Sequence, residues 1–163
     1  MKIFTALAFL MLGLSVRAET GWVYHGDLNG DGVADKIESG PMWTFGNGGG
    51  AFVVTISGNA DLEQKTYSIG GKPECFAIEH TPKNKMRLWT FWHLSSQEGG
   101  LISYVFNENG MKKAVLTINP GDGGTVIGNA IMDAVFNDET RINFEKVENY
   151  IVPPNPSGEE WGK

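Results

Sequence analysis

Cysteine is almost absent from this chain of 163 residues: Cys75 stands alone, so no intrachain disulfide is available in any compartment. Basic residues are scarce as well, 13 Lys and Arg against 19 Asp and Glu, which leaves a formal net charge of -6. An acidic surface repels phosphate backbones, which argues against a nucleic-acid partner and suits cations or basic proteins. Apolar runs long enough to cross a bilayer are lacking too. The one sustained run, Ile3 to Leu14, is shorter than the roughly 20 residues of a spanning helix. Preceded by Met1-Lys2 and followed by Ser15-Val16-Arg17-Ala18, it has the layout of a signal peptide cleaved after Ala18. No cysteine stands at that point to take a lipid anchor. Asn155 precedes Pro156 and is therefore no glycosylation acceptor. The expected location is the periplasm or the medium, with no membrane span.

Loss of the leader removes Lys2 and Arg17, so the mature chain stands nearer -8. What remains suits a single domain with a real hydrophobic core. The sequence predicts a signal peptide over 1–18, one β-rich domain over 19–150 and a Pro-rich tail over 151–163. The tail, with Pro153, Pro154 and Pro156, has little means of pairing in a sheet and is expected to be extended or mobile.

Glycine is plentiful, 22 residues, and it falls between apolar runs, the punctuation of short strands joined by turns. Ala51 to Ser57 and Cys75 to Glu79 read as strands. Met86 to Leu94 is apolar on both faces, with Met86, Leu88, Trp92 and Leu94 on one and Trp89 and Phe91 on the other. Such a strand belongs in the middle of a sheet covered on both sides. Leu101 to Phe106 and Met111 to Ile118 follow, the second after Asn109-Gly110, a hairpin signal because glycine accepts positive φ. These three predict an antiparallel meander. From Val126 to Phe136 the apolar residues recur three and four apart, which predicts one short helix, with Thr125 as its cap. A last strand is expected from Arg141 to Val147. The fold class is therefore mainly β with one short helix, an antiparallel sheet or sandwich.

The chemistry concentrates in Asp27-Leu28-Asn29-Gly30-Asp31-Gly32-Val33-Ala34-Asp35-Lys36-Ile37-Glu38. Calcium takes six to eight oxygens, and oxygens on every second residue of a tight turn converge on it. Asp27, Asn29 and Asp31 would give side-chain oxygens and Val33 its carbonyl, while Asp35 would bind directly or through water. Carboxylates this close in sequence repel one another without a cation. The competing reading is a turn in which Asp and Asn merely cap the backbone. The loop resembles that of an EF-hand, a likeness that places Glu38 as the twelfth, bidentate ligand. Gly21 to Gly26 and Ser39 to Pro41 are poor helix formers, however. Between strands, the phrase is similar to the calcium loops of FG-GAP and VCBS-type repeats in exported proteins, and to dockerin loops. That resemblance implies Ca2+ at Asp27, Asn29, Asp31, Val33 and Asp35; only one copy of the loop is present.

Other candidates are weaker. His25, His80 and His93 show no metal or triad spacing; Glu79, His80, His93 and Glu98 are the material for a small hydrolase. Asn119 to Thr125 reads as a structural turn at a helix start, and Cys75 as a buried, inert thiol. Among five tryptophans, Trp43 is the one expected to be accessible. The resulting expectation is a non-catalytic calcium-binding module for a protein or glycan, with a periplasmic inhibitor or immunity protein and a small hydrolase as alternatives.

Overall fold

In a computed structural model, residues 19–42, 49–58, 63–81, 85–93, 99–107, 109–118 and 124–162 are described. Residues 1–18, Trp43, Glu98 and residues 119–123 lie outside them. Nine strands and one helix occur among the described residues: β1 (Glu19–Gly26), β2 (Asp35–Met42), β3 (Gly50–Ile56), β4 (Lys65–Gly71), β5 (Phe76–Thr81), β6 (Lys85–His93), β7 (Gly99–Asn107), β8 (Gly110–Ile118), α1 (Gly124–Val135) and β9 (Glu145–Tyr150).

All strand pairs are antiparallel and form two sheets, one ordered β4-β3-β2-β1-β9 and the other β5-β6-β7-β8. The second sheet contains the expected meander. Its hairpin closes with Asn107 opposite Gly110, whose φ of 114° is open to glycine and strained for other residues.

The sheets face each other across one core. Ile37, Phe52, Val54 and Ile69 from the first meet Phe76, Leu88, Ile102 and Phe106 from the second. Ring packing ties the layers: Phe52 lies 4.7 Å from Phe76, and Phe76 lies 5.2 Å from Phe144, centroid to centroid. Each such ring fully removed from water contributes about 2–3 kcal/mol. The opposite face of the second sheet carries α1, whose Ile131, Met132 and Val135 pack with Ala77, Trp89, Phe91 and Leu101. This explains why β6 is apolar on both sides: one face meets a sheet and the other a helix.

Where α1 stops, its last carbonyls find donors. Asn137 Nδ2 donates to Ala134 O, Thr140 Oγ1 to Val135 O and Arg141 Nη2 to Phe136 O. The helix, Gly124–Val135, takes in Thr125, whose side chain lies outside the described residues.

Some boundaries differ from the sequence reading. Arg141 forms only a bridge to Ala77, and the last strand begins later, at Glu145. Cys75 ends a 3-10 turn, Pro73–Cys75, ahead of β5. The tail pairs in no sheet but folds back: Trp161 Nε1 donates to Pro153 O at 2.9 Å, and the indole covers Gly40, where a Cβ would lie 3.1 Å from the ring. No helix among the described residues is long and apolar enough to cross a membrane.

Candidate metal centre

The acidic segment joins β1 to β2, with Gly26 opposite Asp35 at its base. It therefore connects two strands, as its helix-poor flanks imply. Gly30 and Gly32 have φ of 83° and 82°, the left-handed bends that let the loop fold onto itself.

The side chains do this folding. Asp27 Oδ1 accepts from Asn29 N at 3.1 Å and Gly30 N at 2.6 Å, while Oδ2 accepts from Gly32 N at 2.8 Å. Asn29 Oδ1 accepts from Asp31 N, and Asp31 Oδ1 from Val33 N. Asn29 Nδ2 donates to Asp31 Oδ2 at 3.0 Å, which brings those two side chains together. Backbone capping by Asp and Asn is thus fully developed. It does not exhaust the oxygens, since an ionised carboxylate offers about four lone-pair sites.

Asp35 holds a different position. It begins β2, is fully buried, and receives Leu28 N at 2.7 Å and Ser57 N at 2.8 Å on its two oxygens. Ser57 Oγ in turn donates to Ala34 O. One carboxylate therefore fastens the loop to the end of β3. Leu28, 1% exposed, turns out of the acidic loop into the core beside Ile37 and Phe52. Neither the Leu28 plug nor the Ser57 fastening is among the ligand positions singled out in the sequence. The large apolar residue set between Asp27 and Asn29 was the available signal for the first; nothing local marks the second.

Electrostatics separate the acids. Burial pushes the Asp35 carboxyl up, its two backbone donors pull it down, and the nearby charges of Asp31 and Asp27 raise it further, so it stands above its ordinary value. Burial also acts to raise Asp27, but the amides of Gly32, Gly30, Asn29 and Asp31 outweigh that and hold its carboxyl below the usual range. None of the three carboxylates has a cationic side chain within ion-pair distance among the described residues.

The structure does not bring Glu38 to the loop. Three residues along β2 from Asp35, it points to the other face. There it pairs with Lys36 at 2.6 Å and accepts from Tyr150 Oη at 3.4 Å. Val33 remains in the loop with a half-exposed side chain, and its N–H serves Asp31. Among the described residues no three His, Cys, Asp or Glu side chains already form a metal cage.

A cleft of about 410 Å³ adjoins the loop, lined by Tyr24, Asp27, His80, Arg141 and Asn143 over a floor that includes Ile78. Sequence reading did not assemble it, because its walls come from both sheets and from the segment after α1. Among the described candidates, Glu79 accepts from Trp89 Nε1 at 2.9 Å and pairs with Arg87 at 3.3 Å, whereas His80, the next residue of β5, is exposed. His25 is exposed on β1; the side chain of His93 and all of Glu98 lie outside the described residues. The chain matches no protein-family model, no curated protein and no solved structure.

Proposed function

We propose that this chain is a calcium-stabilised, non-catalytic β-sandwich module that acts outside the cytoplasm and binds a protein or glycan. The observation that carries the calcium reading is Asp35: a buried carboxylate, crowded by Asp27 and Asp31, with backbone donors but no cationic side chain at ion-pair distance among the described residues. Two amide bonds lessen the cost of burying that charge and do nothing about its like-charged neighbours. A divalent cation would offset both. Asp27, Asn29 and Asp31 with the Val33 carbonyl are the oxygen donors that fit calcium, and Asp35 would stand behind them, directly or through water. Binding would require the Asn29 amide to release Asp31 Oδ2, so that the ion replaces that donor.

Export is the reading of residues 1–18, and cleavage after Ala18 would leave β1 whole. The cleft beside Asp27 offers a partner polar groups and an apolar floor next to the loop that calcium would stiffen. Calorimetric titration of the mature chain with calcium tests the ion, with Asp31→Ala as control. At roughly 1 mM calcium and a dissociation constant of about 10⁻⁴ to 10⁻³ M, binding adds about 0.4–1.4 kcal/mol of stability. We expect a saturable heat and a matching rise in Tm in the wild type, both lost in the variant. A wild type that gives neither has no calcium site.

A further inference from the structure

Four strands form the edges of the two sheets: β4, β9, β5 and β8. The outer side of β5 is occupied, since Ile78 N donates to Thr140 O and Ile142 N to Phe76 O around the Ala77–Arg141 bridge. β9 is short, mixes Glu145, Lys146 and Glu148, and is bent at Asn149 with φ 55°. On β4 the exposed side chains are Lys65, Thr66 and Ser68, all polar.

Among the described residues β8 pairs with no strand on its outer side, and it is neither short nor bent. It pairs residue for residue with β7 from Gly99–Ile118 to Asn107–Gly110, with no bulge and no proline. Every side chain from Lys112 to Thr117 is exposed. Val115 and Leu116, 50% and 48% exposed on opposite faces, are two of the three large apolar side chains exposed among the described residues. No acid occurs between Gly110 and Ile118, yet Lys112-Lys113 is the only adjacent basic pair in a chain of net charge -6. Neither lysine has an ion pair among the described residues.

We propose that β8 is a docking edge for an extended acidic segment of a partner protein, which joins the sheet as its next strand beyond β8. The outward N–H and C=O groups of alternate residues supply main-chain bonds, and Val115 and Leu116 supply apolar contact on both faces. Lys112 and Lys113 set the choice of occupant. Lysines on an edge discourage pairing with a like edge. A second copy joined antiparallel about Val115 would leave all four lysines without an acid and bring together two net-negative bodies. A strand bearing Asp or Glu opposite the pair satisfies it. This proposal rests on the reading of the chain as a protein-binding module and is independent of calcium, because β8 lies in the sheet that does not hold the loop.

The test uses a fluorescein-labelled peptide of alternating Glu and Val, titrated in calcium and again in EDTA. Anisotropy reads binding, and hydrogen exchange reads its place. Expected are binding in both buffers that weakens with salt, and slowed exchange confined to β8. Lys112→Glu with Lys113→Glu should weaken binding by roughly tenfold or more and transfer it to a Lys-for-Glu peptide, with an unchanged melting curve because both side chains are exposed. Indifference to charge reversal, protection elsewhere than β8, or sedimentation showing a wild-type dimer closed through β8 would each overturn the proposal. Peptide binding in EDTA together with a null calcium titration would remove the metal reading and leave the edge standing.

Discussion

Asp35 and Leu28 illustrate how one short loop divides its residues between polar and apolar duties. Asp35 is buried and accepts from two backbone amides, so Asp35→Ala strands Leu28 N and Ser57 N without an acceptor. At about 1–3 kcal/mol for each of the two unsatisfied groups, the expected loss is about 2–6 kcal/mol, checked by urea unfolding. Leu28→Ala empties a core position at the sandwich end, with an expected loss of about 2–5 kcal/mol and no change in loop charge. Asp31→Ala removes one exposed acid that accepts from one backbone amide and from the exposed Asn29 side chain, and should cost far less without calcium. A calcium response that survives Asp31→Ala but fails in Leu28→Ala would mean that loop position outweighs ligand identity. The two acids also titrate with opposite sign. Asp27, held low, lends stability that is lost as pH falls through its folded value; Asp35, raised, favours the protonated fold and loses stability as pH climbs from 3.8 through its folded value.

At the scale of the element, the loop depends on its backbone bends as much as on its oxygens. Gly32 has φ 82° with open space where a Cβ would stand, so Gly32→Ala meets no clash and reports conformational strain alone. A cost of about 1–2 kcal/mol is expected, seen as a lower Tm in EDTA. An unchanged Tm would show that the bend is freely adjustable. Elements with a strong period were legible: β3, β6, β7, β8 and α1 all stand where alternation or helical spacing put them. β1, β2 and β4 were not foreseen. Gly21 and Gly26 in β1, Gly40 and Pro41 in β2, and Gly70 and Gly71 in β4 interrupt their alternation, and neighbouring strands supply the pairing that propensity withholds.

The molecule as a whole should be more sensitive to base than its acidic composition suggests. Burial is the first cause that raises the phenols of Tyr24, Tyr104 and Tyr150 and the thiol of Cys75. Glu38 adds to the effect at Tyr150, whose Oη donates to Ser39 O at 2.7 Å, and Asp27 adds to it at Tyr24. Each group keeps its proton longer in the fold than in the unfolded chain. Between the unfolded values, about 8.5 for a thiol and about 10 for a phenol, and the higher folded ones, stability therefore falls as pH rises. Urea midpoints should drop above about pH 9, and most tyrosinate absorbance should appear together with loss of far-UV circular dichroism. Full tyrosinate signal near pH 10 with an intact spectrum would contradict this.

The sequence alone determined the mainly β class, the meander, the helix and the position of the acidic loop between non-helical flanks. All of these rest on local rules: side-chain period, glycine bends and the spacing of oxygens along a few residues. Only the tertiary structure decided that Glu38 turns away from the loop, that Ser57 is fastened to Asp35, that Tyr24 and Arg141 share a cleft, and that β8 is the last strand of its sheet among the described residues. Those outcomes depend on which face of a strand meets which layer and on contacts between residues far apart in the chain, and local spacing carries no record of either.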